Sequence, residues 1–124
     1  MPCAAQAILI VEGDRPTLEL YRRELSRDFQ VFTCDGERGV FDLLRTQPIA
    51  AVVLDPALPD GRGWALLAAL CHAPDTRSIP IILCSALDER RRGLELGATV
   101  YLVKPVLPAA LLETVRQVIQ SGDA

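Results

Sequence analysis

Ala7–Val11, Ala50–Leu54 and Ile79–Cys84 are runs in which almost every residue is apolar, without alternation of hydrophobic and polar side chains. Successive side chains of a strand point to opposite faces, so an unalternating strand has to be covered on both. Sheets with two covered faces are built from parallel strands under helices. Two more runs of strand length, Gln30–Cys34 and Thr99–Val103, bring the set to five. Between them the hydrophobic period becomes helical. Pro16–Arg27 carries Leu18, Tyr21 and Leu25 on one face, and Gly36–Thr46 groups Val40, Leu43 and Leu44. Trp64–His72 offers Leu66, Leu67 and Leu70, Asp88–Leu96 is short and polar and stops at Gly97, and Pro108–Gln120 repeats Leu111, Leu112, Val115, Val118 and Ile119. Strand and helix in strict alternation give right-handed crossovers and an α/β fold of the doubly wound type, a five-stranded parallel sheet with five helices. In such sheets sites form outside the carboxyl ends of the strands, where the winding reverses.

The 124 residues, half of them hydrophobic, suit a single domain over 1–124, with a linker expected to begin within 121–124. Thirteen basic against sixteen acidic residues leave a charge of −3, and the one basic run, Arg90–Arg92, would be splayed by a helix, which argues against nucleic-acid binding by this chain. Cys3, Cys34, Cys71 and Cys84 lack a C-x-x-C spacing and have only His72 to complete a metal set, so they read as reduced thiols of a cytoplasmic protein. No apolar stretch approaches the ~20 residues of a bilayer span, and Met1–Gln6 lacks the basic and apolar regions of a signal peptide.

Chemistry concentrates at the predicted strand ends. The first strand runs into Glu12, Gly13 and Asp14, the third ends at Asp55, the fourth at Ser85 and the fifth at Lys104, before Pro105. Converging carboxylates repel one another, and a hard divalent cation such as Mg²⁺ relieves that repulsion through carboxylate, water and phosphate oxygens. A lysine opposite them neutralises charge on a phosphoryl group, a serine hydroxyl and backbone N–H groups bond its oxygens, and a central aspartate is a nucleophile able to form an aspartyl phosphate.

These residues resemble the receiver domains of two-component response regulators. The likeness is carried by ILIVEGD at Ile8–Asp14, VVLDPALPDGRG at Val52–Gly63, IILCSA at Ile81–Ala86 and GATVYLVKP at Gly97–Pro105, and it covers essentially the whole chain. It implies a CheY-like, flavodoxin-like sheet of strand order 2-1-3-4-5 and a cytoplasmic phosphorelay protein rather than an enzyme, with self-catalysed phosphotransfer and dephosphorylation at most. By the same resemblance Asp55 is the phosphoacceptor, Lys104 its cationic partner, Ser85 the hydroxyl that moves toward the phosphoryl group and Tyr101 the aromatic switch. Ala57 and Ala86 would supply backbone N–H groups to the phosphoryl oxygens, and Glu12, Asp55 and the Ala57 carbonyl would hold Mg²⁺. The implied partners are a histidine kinase or histidine phosphotransfer protein and a second copy docked through the face of the fourth helix, fifth strand and fifth helix, with no nucleic acid and no membrane.

The sequence departs from the family at Gly13, where a second acidic residue ordinarily ligates the metal, so weakened Mg²⁺ binding and phosphotransfer are expected. Asp14 is the candidate replacement, and an N-terminal helix cap before Pro16 is its other reading. Pro56 stiffens the backbone after Asp55 without removing the N–H of Ala57. A degenerate pseudo-receiver that signals by docking or dimerisation, without phosphorylation, is the alternative that Gly13 motivates. An aspartyl phosphatase is disfavoured, because Ala57 stands where a general acid two residues after Asp55 would be needed. Bland readings stand beside the functional ones: Ser85 as a turn cap, Tyr101 as a half-buried strand aromatic, Trp64 as packing, His72 as a surface residue and Asp60 as a turn acid.

Overall fold

The computed structural model describes residues 6–122; Cys3 and residues 123–124 lie outside them. The five strands are β1 (Ala7–Val11), β2 (Gln30–Cys34), β3 (Ile49–Leu54), β4 (Ile81–Ser85) and β5 (Val100–Val103), all parallel, in the order β2-β1-β3-β4-β5. The helices are α1 (Arg15–Leu25), α2 (Val40–Thr46), α3 (Arg62–His72), α4 (Arg90–Glu95) and α5 (Pro108–Gly122), with a 3₁₀ turn at Pro59–Gly61. The expected fold class and strand order are therefore the observed ones. No described helix is long and apolar enough to cross a membrane.

The unalternating strands are explained by two cores, one on each face of the sheet. Leu9, Val11, Val52, Leu54, Leu83 and Tyr101 pack under α2 and α3 through Val40, Leu44, Leu66, Leu67 and Leu70. On the other face Ile8, Ile10, Val53, Ile82 and Cys84 meet Tyr21 and Leu25 of α1 and the α5 stripe Leu111, Leu112, Val115, Val118 and Ile119. Every residue of β1 is buried. Burying such a side chain contributes roughly 1.5–3 kcal/mol, so the two layers fix which way each strand faces and hence which side chains emerge at its carboxyl end.

Element ends differ from the sequence expectations where backbone chemistry intervenes. β4 starts at Ile81 rather than Ile79, and it runs through Ser85, which pairs with Val103. Pro80 has no N–H to place in the ladder, although its carbonyl accepts the Val52 N–H at 3.0 Å. β3 gains Ile49, and β5 begins at Val100, after Thr99, whose N–H donates to Ile81 O at 2.8 Å and whose hydroxyl accepts the Ile81 N–H at 3.3 Å. α2 begins at Val40 instead of Gly36, since Gly39 sits in the left-handed region at φ +83° and closes a turn first. α1 is Arg15–Leu25 rather than Pro16–Arg27, α3 begins two residues before Trp64, and α4 is shorter at both ends than Asp88–Leu96. Ser121 and Gly122 continue α5 past Gln120.

Candidate functional site

Glu12 and Asp55 extend neighbouring central strands in register: the Glu12 N–H donates to Cys34 O and the Asp55 N–H to Val11 O, each at 3.0 Å. Lys104 follows β5, and its N–H donates to Ser85 O at 2.7 Å. From there its side chain reaches past β4. Lys104 Nζ donates to Glu12 Oε1 at 2.7 Å and to Asp55 Oδ2 at 2.8 Å. The three side chains are only 5% (Glu12), 13% (Asp55) and 18% (Lys104) exposed, so solvent screens these pairs little. The remaining carboxylate oxygens are held by backbone: Ala57 N–H donates to Asp55 Oδ1 at 2.8 Å and Asp14 N–H to Glu12 Oε2 at 3.1 Å.

Two carboxylates share one ammonium, leaving a net charge of −1. Burial pushes the Glu12 carboxyl above its ordinary value, although the hydrogen bond from Lys104 opposes this. Burial acts against the Lys104 ammonium too, but the hydrogen bonds to Asp55 and Glu12 outweigh it and hold its pKa above the ordinary value. Below the pair, the buried Tyr21 hydroxyl donates to Val106 O at 3.4 Å and lies 3.7 Å from Cys84 Sγ. Burial raises the Tyr21 phenol and the Cys84 thiol. The sequence places Tyr21 only in the α1 stripe, and the one signal of a further role is its polar tip among aliphatic residues.

The structure joins Glu12, Asp55, Ala57 and Lys104 by hydrogen bonds to the two carboxylates, and it gives the side chains of the other predicted residues different partners. The Ser85 hydroxyl accepts the Leu87 N–H at 3.2 Å and makes no hydrogen bond to Asp55 or Lys104. Ala86, next in the chain, is exposed. Tyr101 is buried, 7% exposed, with its hydroxyl donating to Leu87 O at 2.5 Å and accepting from Glu89 N–H at 3.2 Å. Asp14 is the N-cap of α1, its carboxylate accepting from the backbone N–H and hydroxyl of Thr17, an attachment that lowers its pKa. Trp64 packs under the Arg92 guanidinium at 4.0 Å, His72 is exposed, and Asp60 is an exposed turn residue at φ +60°. Cys34, Cys71 and Cys84 are free thiols.

The carboxylates brought together where a hard cation could bind are those of Glu12 and Asp55. They are of the kind Mg²⁺ takes, but among the described residues no three His, Cys, Asp or Glu side chains gather as a metal set. Gly13 is exposed, and a Cβ built on it would meet Asp35 O and Leu58 Cδ2 at 3.6 Å, an ordinary contact. Space for a side chain exists where the third acid is missing.

The loop after Asp55 depends on a close approach. A Cβ on Gly63, at the start of α3, would lie 2.3 Å from Pro56 O and 2.6 Å from Pro56 C and Cα. Only glycine lets α3 lean on the residue that follows Asp55.

Residues 8–116 match the family described as response regulator receiver domain. The transcriptional regulatory protein CusR of Escherichia coli is 37% identical over 121 residues, covering 94% of this chain and 52% of that protein. The chain thus spans about half the length of such relatives. Among solved structures, a CheY-like receiver domain protein from Methanospirillum hungatei superposes with a TM-score of 0.86 at 22% identity, over 97% of this chain and 98% of the other. The receiver domain of a histidine kinase from Syntrophus aciditrophicus does so at 0.83 with 29% identity, over 94% and 92%.

Proposed function

The chain belongs to the response regulator receiver domains, and from that membership we propose that Asp55 accepts a phosphoryl group from a phosphohistidine on a histidine kinase or phosphotransfer protein. The observation that carries this reading is the position of Lys104 Nζ on Asp55 Oδ2, within reach of the oxygen that would attack. An Asp55 carboxylate oxygen forms a bond to phosphorus while the P–N bond to the donor imidazole breaks, and the imidazole leaves with the electron pair and takes up a proton. Lys104 then moves its ammonium from Asp55 to a phosphoryl oxygen, and the Ala57 N–H turns from Asp55 Oδ1 to another. Ser85 exchanges the Leu87 N–H for the phosphoryl group, with the Ala86 N–H beside it. The output surface in this reading is α4, β5 and α5, also the face for a second copy.

Receiver domains generally depend on Mg²⁺. Here Glu12, Asp55 and the Ala57 carbonyl would hold it; when bound it offsets negative charge on the carboxylates and phosphoryl oxygens. With Gly13 in place of an acid and Lys104 already on both carboxylates, its binding is weak. The reading makes the chain a cytoplasmic switch, acting on no separate substrate and touching neither membrane nor nucleic acid itself.

Acetyl phosphate with Mg²⁺ should add one phosphoryl group, detected by intact mass and lost on Asp55→Asn or with excess EDTA. Labelling that survives either treatment refutes the mechanism. A second reading, a pseudo-receiver that signals by docking, is favoured by Gly13 together with the double engagement of Lys104. Failure of wild type to label at millimolar Mg²⁺, with Gly13→Asp labelling readily, would select it.

A further inference from the structure

Helix α4 has six residues, and the one facing the sheet is Gly93, which is buried. A Cβ built there would lie 2.7 Å from Leu83 Cδ1, 2.7 Å from Tyr101 Cδ2 and 3.1 Å from Tyr101 Cε2. The helix therefore rests directly on the ring of Tyr101, at a distance that no other residue permits. At the far end of the ring the hydroxyl is fixed by backbone alone, donating to Leu87 O and accepting from Glu89 N–H. Glu89 is the N-cap of α4 and has no side-chain cap of its own. The N–H of the same Leu87 is held by Ser85. Outside, Arg92 ties α4 to α3 by lying over Trp64. None of the groups bonded to the Tyr101 hydroxyl or crowding the Gly93 position is Asp55, Glu12 or Lys104.

We propose that Gly93 is a positioning residue: by letting α4 close on the ring, it holds Tyr101 buried before any charge is added at Asp55. The aromatic of this chain is then set by helix packing, and the α4–β5 surface exists in one arrangement before any signal arrives. The signalling meaning of that surface rests on the receiver reading above; the packing claim does not, and it is tested on unphosphorylated protein.

Tyr101 and Tyr21 are the two tyrosines and Trp64 the one tryptophan, so chemical labelling and fluorescence are assignable. In wild type, N-acetylimidazole should leave Tyr101 unmodified, and Asp55→Asn should leave that protection unchanged. Replacing a helical glycine by alanine normally stabilises. Gly93→Ala should instead lower the urea midpoint, raise Tyr101 acetylation roughly tenfold or more, as a population shift toward an open α4 requires, and make Trp64 more accessible to acrylamide as Arg92 withdraws. Adding Tyr101→Ala to Gly93→Ala removes the ring that clashes and leaves only Leu83 Cδ1, the far end of a side chain that can turn into the vacated space, so acrylamide quenching should return toward the wild-type value. If Gly93→Ala does not fold, the double variant should. The proposal is overturned if Gly93→Ala folds with Tyr101 still protected, if the double variant also fails to fold, or if Asp55→Asn alone exposes Tyr101. Loss of phosphotransfer in wild type would refute the phosphoacceptor role and leave these outcomes untouched.

Discussion

Lys104→Met removes the ammonium from between Glu12 and Asp55 while keeping a side chain of similar length. Two charge-assisted hydrogen bonds are lost, at 2.7 and 2.8 Å, worth about 1.5–3 kcal/mol each. Part of that is recovered because the lysine no longer has to be desolvated, and the variant should be destabilised by about 3 kcal/mol at pH 8. The cost falls mainly on Glu12. Asp55 keeps the Ala57 N–H and is the more exposed of the two carboxylates, whereas Glu12 is buried and retains only the Asp14 N–H. The pH dependence follows from the same asymmetry. Glu12 already has a folded pKa above its ordinary 4.5, so it favours the folded state fully below that value, and the contribution is lost as pH rises through the folded pKa. Removing Lys104 deletes the main influence holding this pKa down and moves the upper edge of the window higher, each unit being worth about 1.4 kcal/mol. The gap between wild type and variant should therefore be largest near pH 8 and shrink toward pH 5, where Glu12 of the variant takes up a proton. Urea titrations followed by far-UV circular dichroism at the two pH values measure it. A gap that is the same at pH 5 and pH 8, or under about 0.5 kcal/mol at both, shows that Lys104 is not the buried counter-ion of Glu12.

Gly63→Ala should cost about 3 kcal/mol or more in urea unfolding, because the clash is with backbone of Pro56 that cannot rotate away; a cost below ~1 kcal/mol would mean that α3 does not lean on that peptide. Gly13→Asp should fold normally, given the open space at position 13, and raise Mg²⁺ affinity roughly tenfold, equivalent to about 1.4 kcal/mol, in a calorimetric titration; unchanged affinity would dismiss Gly13 as the weak point. Asp14→Asn keeps a side chain that caps a helix as well as aspartate does, so both the melting temperature and the Mg²⁺ affinity should stay where they are. A fall in affinity would make Asp14 a ligand rather than the cap of α1.

What sequence could carry was whatever depends on near neighbours and on burial. β1 and β2 have the ends expected of them, because they pass from apolar runs to polar or turn-forming residues without ambiguity. The strand order and the placing of Glu12, Asp55, Ser85 and Lys104 at the strands' carboxyl ends followed from the crossover pattern and the receiver likeness. What was not legible is contact between groups far apart in the chain. Nothing near Glu12 or Lys104 says that each will be the other's partner, since that depends on how far a lysine reaches across β4. Nor does the sequence around Tyr101 reveal that its ring is buried against α4. That contact depends on the Cβ that Gly93 lacks, and a missing atom has no periodicity. Asp14 was legible in both of its readings; what the sequence did not show is the Thr17 N–H, which points back at it and makes it the cap of α1.

The bond between Lys104 and Glu12 joins residues 92 positions apart. During synthesis, all five strands and the buried carboxylate of Glu12 are made before the lysine that neutralises it. Loop closure over so long a span is slow compared with local helix formation, so the acidic end of β1 must wait for β5 before it is stable in its place. A nascent chain cut short between residues 55 and 104 would carry the carboxylates of Glu12 and Asp55 without the ammonium that pairs with both. The ion pairs of the site therefore close only once the segment after the last strand has docked.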